Sequence, residues 1–140
     1  PGLSKVLIGE YDLVVTEGDI PVIVDWKTSA CRWSTDKVER DLQATCFCYA
    51  YTKEHRINPD FRFAVITKSK SPQLGQFYTK RDADAFARFE TIAGAVERAV
   101  NAGVFLPAET SYFCGDCAYA SRCKSWHCRQ SRSVFLPLAG

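Results

Sequence analysis

No stretch of this 140-residue chain approaches the roughly 18 consecutive apolar residues of a membrane-crossing helix. No charged-then-apolar leader opens it, so the expectation is a cytoplasmic protein with no membrane partner. Histidine is scarce. His55 and His127 are the only two, and His55 reads as a solvated loop residue. The sequence has no Ser/His/Asp arrangement and no phosphate-cradling glycine loop, so neither of those chemistries competes here. Strong net charge is also lacking: the value of +2 does not by itself imply nucleic acid. The basic residues do cluster locally, at Lys68 and Lys70, at Lys80 and Arg81, and from Arg122 to Arg132. With 46% hydrophobic and 24% charged residues, the chain has the means to build one ordinary core.

Cysteine is abundant. There are seven, an odd number, and four fall within fifteen residues, at Cys114, Cys117, Cys123 and Cys128. A secreted disulfide scaffold would spread its cysteines along the chain. The pattern points instead to a reducing compartment and a metal or cluster site. Cys114-Gly-Asp-Cys117 brings two thiolates together around a turn that Gly115 permits, and Cys123 and Cys128 follow at short intervals. Thiolates suit zinc or an iron–sulfur cluster. Four of them so close could form a zinc knuckle, with His127 as a spare nitrogen donor. Cys46 and Cys48 read as core or partly buried thiols.

The densest pattern is Val22-Ile23-Val24-Asp25-Trp26-Lys27-Thr28. Side chains alternate along a strand, so Asp25 and Lys27 share one face and Trp26 takes the other. Both charges need partners if buried. Lys5 to Val15 reads as the preceding strand, and Gly18-Asp19 as a two-residue, glycine-first hairpin turn. That turn sets the register: Glu17 faces Ile20, Thr16 faces Pro21, Asp12 faces Asp25 and Glu10 faces Lys27. Proline suits its position because no N–H is required there. Opposed carboxylates about 4.5 Å apart at Cα repel each other. A divalent cation between them removes that penalty; a wet sheet edge, or a register slipped by one, avoids it. Glu10 pairs with Lys27 and tunes it, or forms a surface ion pair of little consequence.

Further along, Asp36-x-x-Glu39 reads as a capping box, and Val38, Leu42, Thr45 or Cys46, and Tyr49 give a helix over about Lys37 to Lys53. Gln43 lies beside that stripe, with Glu39, Arg40, Phe47 and Ala50, as a surface glutamine or a functional one. Phe61 to Thr67 and Leu74 to Thr79 read as a second hairpin. Lys68 and Lys70 in its loop serve solvation or touch a DNA backbone. Thr79-x-x-Asp82 opens a helix in which Phe86, Phe89, Ala93, Val96 and Val100 form the packing stripe, and Asn101 to Gly103 ends it.

Gly9-x-x-Asp12, a turn, then Asp25-x-Lys27 resembles the metal-binding core of the PD-(D/E)XK nuclease superfamily. Gln43 followed by aromatics resembles the Gln-x-x-x-Tyr motif of its RecB-like branch, although the tyrosine position holds Phe47. Cys114-x2-Cys117-x5-Cys123 resembles the cluster of that branch's iron–sulfur members, the CRISPR-associated nucleases and the AddB-type helicase–nucleases. The resemblance implies an α/β (α+β) fold: a restriction-endonuclease-like central mixed sheet flanked by helices, with a C-terminal cysteine-rich metal-binding tail. A nuclease core over 1–109, a cysteine cluster over 110–128 and a tail over 129–140 are expected. The family's N-terminal helix and first cluster cysteine are not legible, so a core fragment or a short member is expected.

The resemblance further implies a metal-dependent DNA nuclease acting as an exonuclease, with Asp12, Asp25, Lys27 and Gln43 as catalytic residues. Asp12, Asp25 and the Trp26 carbonyl would hold Mg²⁺ or Mn²⁺, and Gln43 would orient a scissile phosphate or a metal-bound water. A [4Fe–4S] cluster, ahead of Zn²⁺, would be held by Cys114, Cys117 and Cys123, with Cys128 or Cys31 as the fourth ligand. The implied partners are DNA, single-stranded or with free ends, and a larger nuclease–helicase or CRISPR adaptation complex. The alternative is a non-catalytic nucleic-acid-binding or structural module held together by its zinc or iron–sulfur centre.

Overall fold

The computed structural model describes residues 6–104, 108 and 111–131, with the side chains at 112 and 126–131 left aside. Two compact units divide the chain, Pro1–Arg98 and Ala99–Gly140. Four strands make one mixed sheet: β1 (Leu13–Glu17), β2 (Ile20–Ser29), β3 (Asp60–Thr67) and β4 (Leu74–Thr79), in spatial order β1-β2-β3-β4. β2 and β3 run parallel; the outer pairs are antiparallel. Between β2 and β3 lie α1 (Thr35–Arg40) and α2 (Leu42–His55), and after β4 comes α3 (Ala83–Asn101). This is the restriction-endonuclease-like sheet with flanking helices. In the second unit a short 3₁₀ turn (Tyr112–Cys114) precedes α4 (Ala120–Ser131), a helix the sequence reading did not assign. No helix among the described residues is long and apolar enough to cross a membrane.

β2 and β3 are apolar on both faces because they occupy the centre of the sheet. Ile23, Phe61, Phe63 and Val65 pack with Val38, Ala44 and Cys48 on the helix side. Val22, Val24 and Ala64 make a second cluster with Val15. The hairpin register is the expected one from Glu17↔Ile20 through Thr16↔Pro21 to Leu13↔Val24. Gly18 takes the positive φ of 65° that a glycine-first turn requires. The start of β1 differs from the expectation. The ladder begins at Leu13, residues 6–12 lie outside it, and Lys5 is outside the described residues. The strand ends there because the Asp12 carboxylate, rather than a strand carbonyl, takes the Trp26 N–H at 2.8 Å.

The single helix expected over Lys37 to Lys53 is two helices. Ser34, not Asp36, caps α1 by accepting the Lys37 N–H. Asp41, at φ −66° and ψ 118°, breaks the run and caps α2 by accepting the Ala44 N–H at 3.0 Å. Arg81 holds the break open. Its buried guanidinium donates to the Val38 and Asp41 carbonyls at 2.9 and 3.2 Å and to Thr45 Oγ1 at 2.8 Å. The break also redirects the buried stripe. Ala44, Thr45 and Cys48 go inside, Leu42 stays exposed, and Gln43 leaves the ridge of Glu39 and Arg40. On α3, Asp82 is the cap, accepting the Ala85 N–H at 2.8 Å. Phe89 is buried, but Val96 and Val100 are exposed rather than core. Gly103, at φ 68°, ends the helix with its N–H on the Val100 carbonyl and the Val104 N–H on Ala99.

Phe61 is fully buried and Leu42 is 43% exposed. Phe61→Ala is therefore expected to cost about 3–5 kcal/mol in urea unfolding, and Leu42→Ala to stay within about 0.5 kcal/mol. Comparable losses would show that the stripe runs through Leu42 after all.

Candidate active site

β2 carries its charges out of the apolar core in two steps. Asp25 is 2% exposed, on the helix-covered face, with Phe63 beside it on β3. Lys27, on the same face beside Val65, is half-buried and places Nζ 2.7 Å from Asp25 Oδ2. At that distance the contact is a charge-assisted ion pair, and Lys27 is the partner that the described residues offer the buried Oδ2. Burial pushes the Asp25 carboxyl above its ordinary value of 3.8, against the pull of Lys27; the charges of Asp12 and Asp41 push it further up. Lys27 thus pairs with Asp25, not with Glu10 as the register arithmetic expected, because the ladder has ended before Glu10.

Asp12 sits against the Trp26 backbone, one residue from Asp25. In a strand, the N–H and C=O of one residue point to the same side. The Trp26 carbonyl therefore faces the edge that β1 has left, the side on which Asp12 sits. The Trp26 ring takes the opposite face of the sheet and is 50% exposed. The oxygens available along this part of β2 are the buried Asp25 carboxylate, paired with Lys27, the Asp12 carboxylate and the Trp26 carbonyl. Hard oxygen donors of this kind fit Mg²⁺ or Mn²⁺. Only two side chains contribute: among the described residues no group of three or more His, Cys, Asp or Glu gathers to hold a metal.

Gln43 is exposed in the first turn of α2, and among the described residues no hydrogen bond joins it to Asp25 or Lys27. The sequence reading missed Asp41, whose charge acts on Asp25 from the cap just before Gln43. Only its capping chemistry could have marked it. Phe47, at the family's tyrosine position, packs edge-on against Tyr11 and stacks with Phe61. Tyr49 turns away from the site; its hydroxyl donates to Glu90 at 2.7 Å, which with burial pushes it up to about 12.

The cysteines divide by environment. Cys48 is buried, and burial pushes its thiol up to about 12. Cys46 is half-buried and Cys31 exposed. In the second unit, the Cys114 thiol donates to the Ala108 carbonyl at 3.2 Å, Cys117 is exposed and Cys123 lies on α4. Cys114, Cys117 and Cys123 do not close on one point as a metal group. The side chains of Cys128 and His127 lie outside the described residues.

The sequence model of the PD-(D/E)XK nuclease superfamily matches residues 2–124. No curated protein matches the sequence. Among solved structures, a "Putative exonuclease" from Eubacterium rectale is similar at 12% identity and a TM-score of 0.43. That likeness covers 86% of this chain and 45% of the other, so this chain spans less than half of that protein.

A carboxyl raised by burial favours folding in its protonated form. That contribution is complete below the unfolded value near 3.8 and is lost as pH rises through the higher folded value. Metal-free wild type should therefore lose stability relative to Asp25→Asn as pH climbs above 3.8, a difference readable from thermal midpoints in EDTA. A wild type that gains on the variant over that range would mean that the Lys27 pairing outweighs burial.

Proposed function

The chain belongs to the PD-(D/E)XK nuclease superfamily, and from that premise we propose a divalent-metal-dependent deoxyribonuclease that trims single-stranded or free DNA ends. The observation that carries the proposal is the juxtaposition at β2. Asp12 is bonded to the Trp26 backbone at 2.8 Å, while the neighbouring Asp25 is buried under Lys27 at 2.7 Å. Asp12, Asp25 and the Trp26 carbonyl would hold Mg²⁺ or Mn²⁺. What the bound ion supplies is Lewis acidity toward the scissile phosphodiester and a lowered pKa for the attacking water.

Lys27 is the partly exposed cation of the site. Its ammonium rests on Asp25 and is 31% exposed, so it can turn toward the attacking water or toward charge developing on the phosphate. Asp25, released from that pairing, would be free to hold the cation. Gln43, exposed at the start of α2, orients the scissile phosphate. The hydrolysis is direct, with no covalent intermediate. In the tail, the Cys114, Cys117 and Cys123 spacing supports a thiolate-bound centre, an iron–sulfur cluster ahead of Zn²⁺, closed by Cys128. A cytoplasmic location in a larger nuclease–helicase or CRISPR adaptation complex completes the reading, on the strength of the resemblance.

One observation favours a non-catalytic module instead: the Asp25 carboxylate already has the Lys27 ammonium as its partner at 2.7 Å. Cleavage of end-labelled single-stranded DNA decides between the two readings. The nuclease reading expects Mg²⁺- or Mn²⁺-dependent shortening that EDTA stops. Asp25→Ala and Lys27→Ala should each lower the rate on the order of a hundredfold or more. Trp26→Phe, which keeps the backbone carbonyl, should retain activity. No cleavage by the wild type with either ion would leave the binding module.

A further inference from the structure

Two loops meet at the end of the sheet beyond Lys27. The Lys68 N–H donates to the Ser29 carbonyl at 2.8 Å, and Arg32 donates to Gln73 at 3.0 Å. A cavity of about 310 Å³ lies under them, near the lower limit of roughly 300–1,000 Å³ for ligand pockets. Its lining is mostly apolar, with the rings of Trp33 and Phe77 beside Val65 and Gly75, and Arg32, Thr67 and Gln73 add polar groups. Gly75, opposite Val65, adds no side chain, and a Cβ there would come within 3.0 Å of the Phe77 ring.

The cavity neighbours the catalytic face by register. Lys27 pairs with Val65 and Val65 with Gly75. Since strands lie about 4.8 Å apart, the floor begins one strand from the Lys27 backbone. Trp33 is fixed there, against Phe63 on one side and with Lys37 4.0 Å over its ring.

Charge singles out this end of the sheet. From Trp26 to Thr35 and from Phe61 to Arg81 the sequence contains no Asp or Glu. Elsewhere on the unit, Arg40, Lys53, Arg62 and Lys80 each pair with a described carboxylate, and the exposed Arg56 and Arg88 lie at the end of α2 and on α3, helices that also hold Asp or Glu. Arg32, Lys68 and Lys70 pair with none of the described carboxylates, and all three are exposed. Cations left unpaired around an apolar recess complement a ligand with an apolar plane and a chain of negative charges.

We infer that this cavity seats a nucleotide of the substrate strand next to the scissile one, an assignment that rests on the nuclease reading. The base lies against the partly exposed rings of Trp33 and Phe77, and the flanking phosphates meet Arg32, Lys68 and Lys70. A single strand is the form that can present a base this way, because a paired base is not free to enter a recess.

The test is binding without turnover. An Asp25→Ala chain is titrated with labelled oligothymidylate, and with an abasic oligomer of equal length, at several salt concentrations. Adding Arg32→Gln, Lys68→Gln and Lys70→Gln should flatten the salt slope for the single strand by about 2, at about 0.7 per phosphate contact. The abasic oligomer should bind on the order of tenfold more weakly than oligothymidylate. Phe77→Leu, which keeps an apolar side chain and removes the ring, should weaken only the base-bearing strand. An unchanged slope in the triple variant overturns the phosphate contacts, and equal affinity for the two oligomers overturns the base seat. Cleavage by the Asp25 chain is read separately. An inactive chain that still binds through these residues sinks the nuclease reading alone, and an active chain indifferent to them sinks this inference alone.

Discussion

Everything at the working end of this molecule follows from holding one carboxylate, Asp25, where water barely reaches it. Burial raises the free energy of its charged form and pushes the carboxyl above its ordinary value. Lys27 offsets part of it. Asp12 and Asp41 add to it, since both place negative charge within reach. On the proposed reading, a divalent cation at the open side of β2 would offset the rest.

That open side comes from an interrupted ladder. β1 pairs with β2 only as far as Leu13 and Val24, and Asp12 then spends one carboxylate oxygen on the Trp26 N–H. The strand therefore ends where a backbone carbonyl becomes available. On the helix side a comparable interruption operates. Arg81, brought in from the chain after β4, caps the carbonyls where α1 gives way to α2, and the new helix start sets Asp41 and Gln43. Two breaks in regular structure, each sealed by a charged side chain, frame the site.

Much of the frame was legible in the sequence. The β-branched run of β2, the Gly18-Asp19 turn and Thr16 facing Pro21 determine the register by geometry alone, and the structure has it from Leu13 to Glu17. The extent of β1 was not legible, because Asp12 reads as a strand residue until its hydrogen bond to Trp26 is seen. The helix break escaped for a related reason. Apolar spacing runs across Asp41 unbroken, and Arg81, which stabilises the interruption, is 40 residues away in sequence. The exposure of Val96 and Val100 is likewise a tertiary property that periodicity does not report. The cysteine spacing announced thiolates in proximity, yet Cys114, Cys117 and Cys123 do not close on one point among the described residues.

The account stands or falls on whether Asp12 and Asp25 share a cation. Titration of the metal-free protein with Mn²⁺, followed by electron paramagnetic resonance of the free ion, measures this without any substrate or turnover. The account predicts a bound ion that is lost in Asp25→Ala and weakened in Asp12→Ala. Mn²⁺ that stays free with the wild type, or binds equally well to Asp25→Ala, would contradict it.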